Sequence, residues 1–204
     1  TSFAFALKLR DMLFKKTGVL PRIIYSLPFL SIIEQNFSVL KDVLGTQSTS
    51  VLLKHHHLVE MKFEDRENEY TDDMARILIE GWNSEVVVTT FVQLFHTLVS
   101  YHNRTLRRFH HLANSIVILD EVQAIPHRFW LLCRELMTKL ASSFNTYVIL
   151  ATATQPAIFE DECRELVRNK PRFFHHFDRV KMILQITQQS KLEDFYHTLR
   201  IDKD

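Results

Sequence analysis

Glycine is scarce in this sequence. Gly18, Gly45 and Gly81 are the only three in 204 residues, where average usage of about 7% would give roughly fourteen. No two stand close enough to build G-x-x-x-x-G-K-[ST], so the sequence holds no glycine-rich phosphate loop of that kind. Cysteine is nearly absent as well. Cys133 and Cys163 are far apart and form no C-x-x-C pair, which excludes a disulfide scaffold and argues against structural zinc. Neither sign of charge prevails: 25 Lys plus Arg face 24 Asp plus Glu. No overall basic field therefore points to nucleic acid, and any such contact must rest on local placement. No apolar run reaches the ~18 residues of a membrane span. The opening TSFAFALKLRD lacks the apolar core and cleavage site of a secretory signal. A reduced, cytoplasmic setting without membrane contact is expected. Internal repeats and low-complexity segments are missing too. At 46% hydrophobic residues the chain can bury one sizeable core.

What is present centres on residues 115–126, SIVILDEVQAIP. Four uninterrupted apolar residues, Ile116 to Leu119, suit a strand buried on both faces, as in a parallel sheet covered by helices. They end on two adjacent carboxylates, Asp120 and Glu121, and ligands of such sheets gather at the carboxyl ends of the strands. One carboxylate there suits Mg²⁺ held through water, and the next suits activation of an attacking water. A strand closing in a plain polar turn explains the same dozen residues about equally well. The next apolar run, 146–150, leads into Ala151-Thr152-Ala153-Thr154-Gln155-Pro156. Between the two runs, Phe129, Leu132, Cys133, Leu136, Met137 and Leu140 recur at helical spacing. Strand, acids, helix, strand and hydroxyls make a βαβ unit whose strand ends lie side by side. That brings Thr152 and Thr154 within reach of the acidic pair.

At these residues the sequence resembles a family. DEVQ, residues 120–123, is similar to the Walker B or DExH-type motif II of superfamily 2 helicases, and TATQP, residues 152–156, to their motif III. The DEVQ form followed by Pro126 is most similar to the CRISPR-associated helicase-nuclease of type I interference systems. YSLPFLSIIEQN, residues 25–36, resembles that family's motif Ia, and VVVTTFVQLFHTL, residues 86–98, its motif Ib region. The four stretches stand in the family's order.

The remaining chain is organised around that frame. Residues 1–16 read as an amphipathic helix closed at Thr17-Gly18, with Pro21 beyond. In the resembling family such a helix follows the phosphate loop, so the sequence is expected to start just inside a cut, with the register of Thr1 open. Residues 22–26 read as a strand and 31–44 as a helix with Ser31 as its cap. Val51 to Leu53 starts a short strand. His55, His56 and His57 do not share one face, which favours a polar turn over zinc. The acid-rich 64–73 reads as a solvated connection, with Asp72 or Asp73 capping a helix over 74–82. Residues 85–90 read as a strand ending in Thr89-Thr90, followed by a helix over 91–101. Residues 102–111, with three arginines and three histidines, read as a solvated helix face or an electrostatic contact. A helix is expected over 158–168, a strand over 180–186 and a final helix over 190–199.

The resemblance implies an α/β fold: a RecA-like three-layer domain with a mainly parallel sheet and helices on both faces. It implies a first RecA-like domain without its phosphate loop over 1–168, and a connection toward a second such domain over 169–204. The implied activity is that of an ATP-dependent single-stranded DNA translocase and helicase, recruited to a Cascade-like CRISPR effector complex, with Mg²⁺ and ATP as cofactors. Asp120 would bind the metal and Glu121 would activate water. Gln123 would sense nucleotide state, and Thr152, Ala153 and Thr154 would couple it to DNA. Pro28, Phe29, Ser31, Thr89, Thr90 and Gln93 would touch the DNA. The family often has histidine where Gln123 stands, which leaves that role less secure. Without a phosphate loop or an arginine finger, the isolated 204-residue chain is expected to be nearly inert as an ATPase. Two other readings stay open: a catalytically inert DNA- or effector-binding module, and another superfamily 2 translocase.

Overall fold

The computed structural model describes residues 2–56, 72–153, 158–159 and 163–167. Five strands form one sheet: β1 (Arg22–Leu27), β2 (Leu52–His55), β3 (Val86–Thr90), β4 (Ser115–Asp120) and β5 (Tyr147–Ala151). Their order is β2-β3-β1-β4-β5, and every neighbouring pair is parallel. Parallel neighbours need crossovers, and the chain supplies helices for them. α1 (Ser2–Thr17) precedes β1, and the crossovers hold α2 (Leu30–Leu44), α3 (Asp72–Glu80), α4 (Phe91–Val99), α5 (Asn103–Phe109) and α6 (Trp130–Phe144).

Side chains alternate between two cores. Ile23, Tyr25, Leu27, Val86, Val88, Ile116 and Ile118 face α1 and α2, where they meet Phe3, Ala6, Ile33 and Leu40. Ile24, Val87, Val117 and Leu119 face the other way, onto Ile79 of α3, Leu94 of α4, and Cys133, Met137 and Leu140 of α6. The three central strands are covered on both faces, which is why their sequences are continuously apolar rather than alternating. The expected three-layer α/β architecture is therefore observed.

Local signals set the element ends. α1 stops at Thr17, where Gly18 at φ +71° donates its amide to the Phe14 carbonyl at 2.8 Å. Asn114 and Asn145 precede β4 and β5 in the left-handed region that asparagine tolerates. They are joined by an Asn145 Nδ2 to Asn114 Oδ1 hydrogen bond of 2.9 Å.

Four expectations differ from the structure. Ser31 lies inside α2, whose N-cap is Phe29 with no side-chain cap bond; the extended backbone at Phe29 sets the boundary instead. α3 already includes Asp72 and Asp73 rather than being capped by them. His55 closes β2 as a buried residue against Trp82, with ring centroids 5.7 Å apart, rather than opening a polar turn. No helix runs through the described part of 158–168. Ile158 and Phe159 both enter the core beneath α6, and burial of two consecutive side chains overrides a mixed-charge helical pattern. The chain divides into two compact units between Glu162 and Cys163. Residues 163–166 of the second unit carry no regular structure. His57, the acidic 64–71, and the elements expected over 180–186 and 190–199 lie outside the described residues.

Two histidines make the fold sensitive to acid. Burial, aided by the nearby Arg108 charge, pushes His55 down to about 3, and burial beside Arg22 pushes His111 down to about 4. Both are neutral in the folded state and protonate near pH 6.5 once unfolded. Their contribution is thus complete above pH 6.5 and is lost as pH falls toward 4, with His55 alone costing about 1.4 kcal/mol per pH unit. Urea unfolding of wild type and His55→Leu at pH 7.5 and pH 5 should show a clearly smaller acid-induced loss in the variant. Equal losses in the two proteins would refute this account.

Candidate active site

The chain runs from β1 out to the β2 side of the sheet, returns through β3, and then crosses to β4 on the other side of β1. Strand order reverses between β1 and β4, and the crevice outside their carboxyl ends is where open parallel sheets bind ligands. Asp120, the last residue of β4, stands at that point. Glu121 follows at φ 58° and ψ 43°. A left-handed glutamate costs about 1–2 kcal/mol and halts the strand abruptly. The 3-10 turn Val122–Ala124 continues from it, with the Ala124 amide donating to the Glu121 carbonyl at 2.9 Å. Val122 and Ile125 are buried, and Trp130 Nε1 donates to the Ile125 carbonyl at 2.7 Å, so the turn is anchored at its far end.

Two hydrogen-bond chains fix the acids. Asp120 Oδ1 accepts the Glu121 amide at 3.1 Å, and its Oδ2 accepts the phenol of Tyr25. Burial, and then the hydrogen bond to Asp120, hold the Tyr25 phenol well above its usual range, so it remains a donor. The Gln123 side-chain amide donates to Glu121 Oε2, and Gln123 Oε1 accepts the Thr152 hydroxyl at 2.6 Å. The register aligns Asp120 with Ala151. The residues expected to form the acidic and hydroxyl motifs are therefore adjacent, with Gln123 bridging them. Ala153 is exposed in a bend beside Thr152, and Thr154 lies outside the described residues.

The residues expected to touch DNA line the same edge of the sheet, with unequal exposure. Phe29 and Ser31 are exposed and Pro28 is half-buried, at the start of α2. Thr89 is fully buried, its hydroxyl donating to the His55 carbonyl at 2.9 Å. Thr90 is the N-cap of α4, its side chain accepting the Gln93 amide at 3.1 Å. The Gln93 side chain accepts Arg108 Nη1 at 2.8 Å. Arg108 itself departs from a solvated basic face. It is buried beside the Trp82 ring, and its Nε donates to the Glu80 carbonyl at 2.8 Å, closing the end of α3.

The sequence reading gave no individual role to Tyr25, and it left Arg108 within a basic segment read as a solvated face or an electrostatic contact. Tyr25 carried a signal: a phenol inside an apolar strand buried on both faces needs a polar partner. Arg108 carried none, since its burial depends on how α3, α4 and α5 pack.

Among the described residues no three His, Cys, Asp or Glu side chains converge on one point. Asp120 with Glu121 beside it offers one or two carboxylates. That donor set suits Mg²⁺, which is otherwise held by water and phosphate oxygens. The residues present fit that ion.

The Gln123 bridge makes a quantitative prediction. Thr152→Val and Gln123→Ala should each destabilise slightly and couple by about 0.5–1 kcal/mol in a double-mutant cycle read by urea unfolding. Strict additivity would mean the bridge is not populated in solution.

Comparison with known proteins agrees with this fold. The DEAD/DEAH box helicase family matches residues 2–161. The CRISPR-associated nuclease/helicase Cas3 of Haloferax volcanii is 37% identical over 171 residues, covering 79% of this chain and 18% of that protein. Among solved structures, T. fusca Cas3 with ATP superimposes with a TM-score of 0.54 at 22% identity, over 72% of this chain and 17% of the other. T. fusca Cas3 with ADP gives 0.56 at 22% identity, over 75% and 17%. The chain thus spans about a sixth of the length of the relatives it matches. Its parallel three-layer fold, its acidic pair at the switch point and the extent of the match lead to one assignment: the chain belongs to the DEAD/DEAH box helicase family.

Proposed function

We propose that the chain forms the first motor domain of an ATP-dependent single-stranded DNA translocase and helicase acting in type I CRISPR interference. The observation that carries this reading is the linked set at the switch point: Asp120 held at both carboxylate oxygens, and Glu121 tied through Gln123 to Thr152. The likeness to Cas3 supports the CRISPR setting, with a Cascade-like effector complex as partner and a cytoplasmic location. No helix among the described residues is long and apolar enough to cross a membrane.

In this reading ATP sits across the carboxyl ends of β1 and β4. Mg²⁺, when bound, would offset charge on the β- and γ-phosphates. Asp120 would hold it, through water. Glu121 orients the water that attacks the γ-phosphorus and accepts its proton. Gln123 reports the state of that glutamate to Thr152, and with Ala153 and Thr154 passes it toward DNA. The turn at Pro28, Phe29 and Ser31 meets the DNA backbone, helped by the α2 N-terminus, which has no side-chain cap bond. Thr89, Thr90 and Gln93 shape the start of α4 at the same edge. The isolated 204-residue chain lacks the phosphate loop, a large source of transition-state stabilisation, and is nearly inert by itself.

Glu121→Gln tests the assignment. In the full-length protein, ATP hydrolysis stimulated by single-stranded DNA should fall by about 10²-fold or more while ATP binding stays near wild type. Hydrolysis that survives the substitution would remove Glu121 from the chemistry.

A further inference from the structure

Among the described residues Tyr25 is the one phenol in the two cores flanking the sheet, 4% exposed in the middle of the central strand, and its oxygen ends on the carboxylate at the switch point. We propose that Tyr25 is a positioning residue that fixes the plane of the Asp120 carboxylate for divalent-cation binding and ties that carboxylate to the turn following β1. The inference rests on the proposed role of Asp120 as the metal-holding acid.

Asp120 is the last residue of its strand, and beyond it the backbone turns sharply into the left-handed Glu121. A terminal side chain in that position has freedom to rotate unless both oxygens are engaged. The Glu121 amide engages Oδ1 at 3.1 Å, but it belongs to the adjacent residue and moves with the same turn. The Tyr25 bond comes from a different strand, 95 residues away in sequence, and is the fixed reference. Each carboxylate oxygen then has one donor and keeps lone-pair capacity for a cation or its water.

The phenol is itself immobile. β1 is paired on both sides, with Tyr25 aligned to Val88 of β3 and Ile118 of β4. Its ring lies among apolar neighbours, with the Phe3 ring centroid 6.2 Å away. Rigid partners that hydrogen-bond a metal-binding carboxylate commonly govern metal affinity by 10- to 100-fold. Tyr25 also lies three residues before Pro28, on the strand that leads straight into the proposed DNA-contacting turn. A single side chain thus links the strand of that turn to Asp120.

The test uses the full-length protein with Tyr25→Phe, which removes one oxygen and leaves the ring. Two readouts are needed. The first is the Mg²⁺ concentration for half-maximal DNA-stimulated ATP hydrolysis. It should rise about tenfold or more, with the rate recovering at saturating Mg²⁺. The second is Mn²⁺ binding in the presence of a non-hydrolysable ATP analogue, followed by electron paramagnetic resonance. It should weaken by a similar factor. A merely structural phenol would lower the rate at every Mg²⁺ concentration without moving either midpoint, and that result overturns the inference.

Asp120→Asn, measured alongside, separates the two levels of the proposal. If it leaves Mn²⁺ affinity and hydrolysis intact, the assignment of Asp120 itself is wrong. If it abolishes them while Tyr25→Phe matches wild type, only the role of Tyr25 fails. Should Tyr25→Phe not fold, 3-fluorotyrosine at position 25 supplies the answer without a deletion. Its ¹⁹F resonance should shift on addition of Mg²⁺ to the nucleotide-bound protein, and an unmoved resonance refutes the contact.

Discussion

Parallel pairing is the constraint from which the rest follows. No two neighbouring strands can be joined by a hairpin, so each connection must leave the sheet and return over one of its faces. The crossovers place α2 on one side, beside α1, and α3, α4 and α6 on the other, and the central strands are almost wholly buried. Because every strand points the same way, all five carboxyl ends reach one edge. A polar residue that survives there sits where the apolar pattern stops, with neighbouring strand ends close by. Asp120 beside Ala151 and the Tyr25 phenol is the outcome.

The site built on that edge is a chain of side chains more than a pocket. Asp120 is held from β1, Glu121 from Gln123, and Gln123 from Thr152 just beyond β5. Three segments far apart in sequence are joined by single hydrogen bonds. On the proposed reading, these bonds are the contacts through which nucleotide chemistry would be coupled to movement along DNA. Arg108 does comparable work away from the acids. Its guanidinium joins the last carbonyl of α3 to Gln93 in the first turn of α4, so the two helices hold one geometry at the edge.

The fold was legible where burial and periodicity agreed. The valines of β3 and the apolar run of β4 declare strands covered on both faces, and the three- and four-residue spacing in α6 declares the helix between β4 and β5. The acids and the Thr152 hydroxyl could be paired in advance because a βαβ unit leaves few places for its strand ends. The misreadings share a cause. Ser31, Asp72 and Asp73 carry the right chemistry for helix caps, but cap identity depends on where the backbone leaves the extended region. His55 and the 158–159 pair were read as polar or helical because their partners, Trp82 and the core beneath α6, are distant in sequence. The same distance hides Arg108, since charge alone does not tell which arginine of a basic run is drawn inward.

Glu121 stands in a backbone conformation that nearly any other local design would assign to glycine or asparagine. On the proposed reading this is also the position where the reaction needs a carboxylate. Drift toward glycine would relax the turn and harm the reaction, so stability and activity select for opposite residues at one site. A copy of this domain released from selection for catalysis would be expected to lose this glutamate early. On that reading, the residue at position 121 would record whether a lineage still uses its motor.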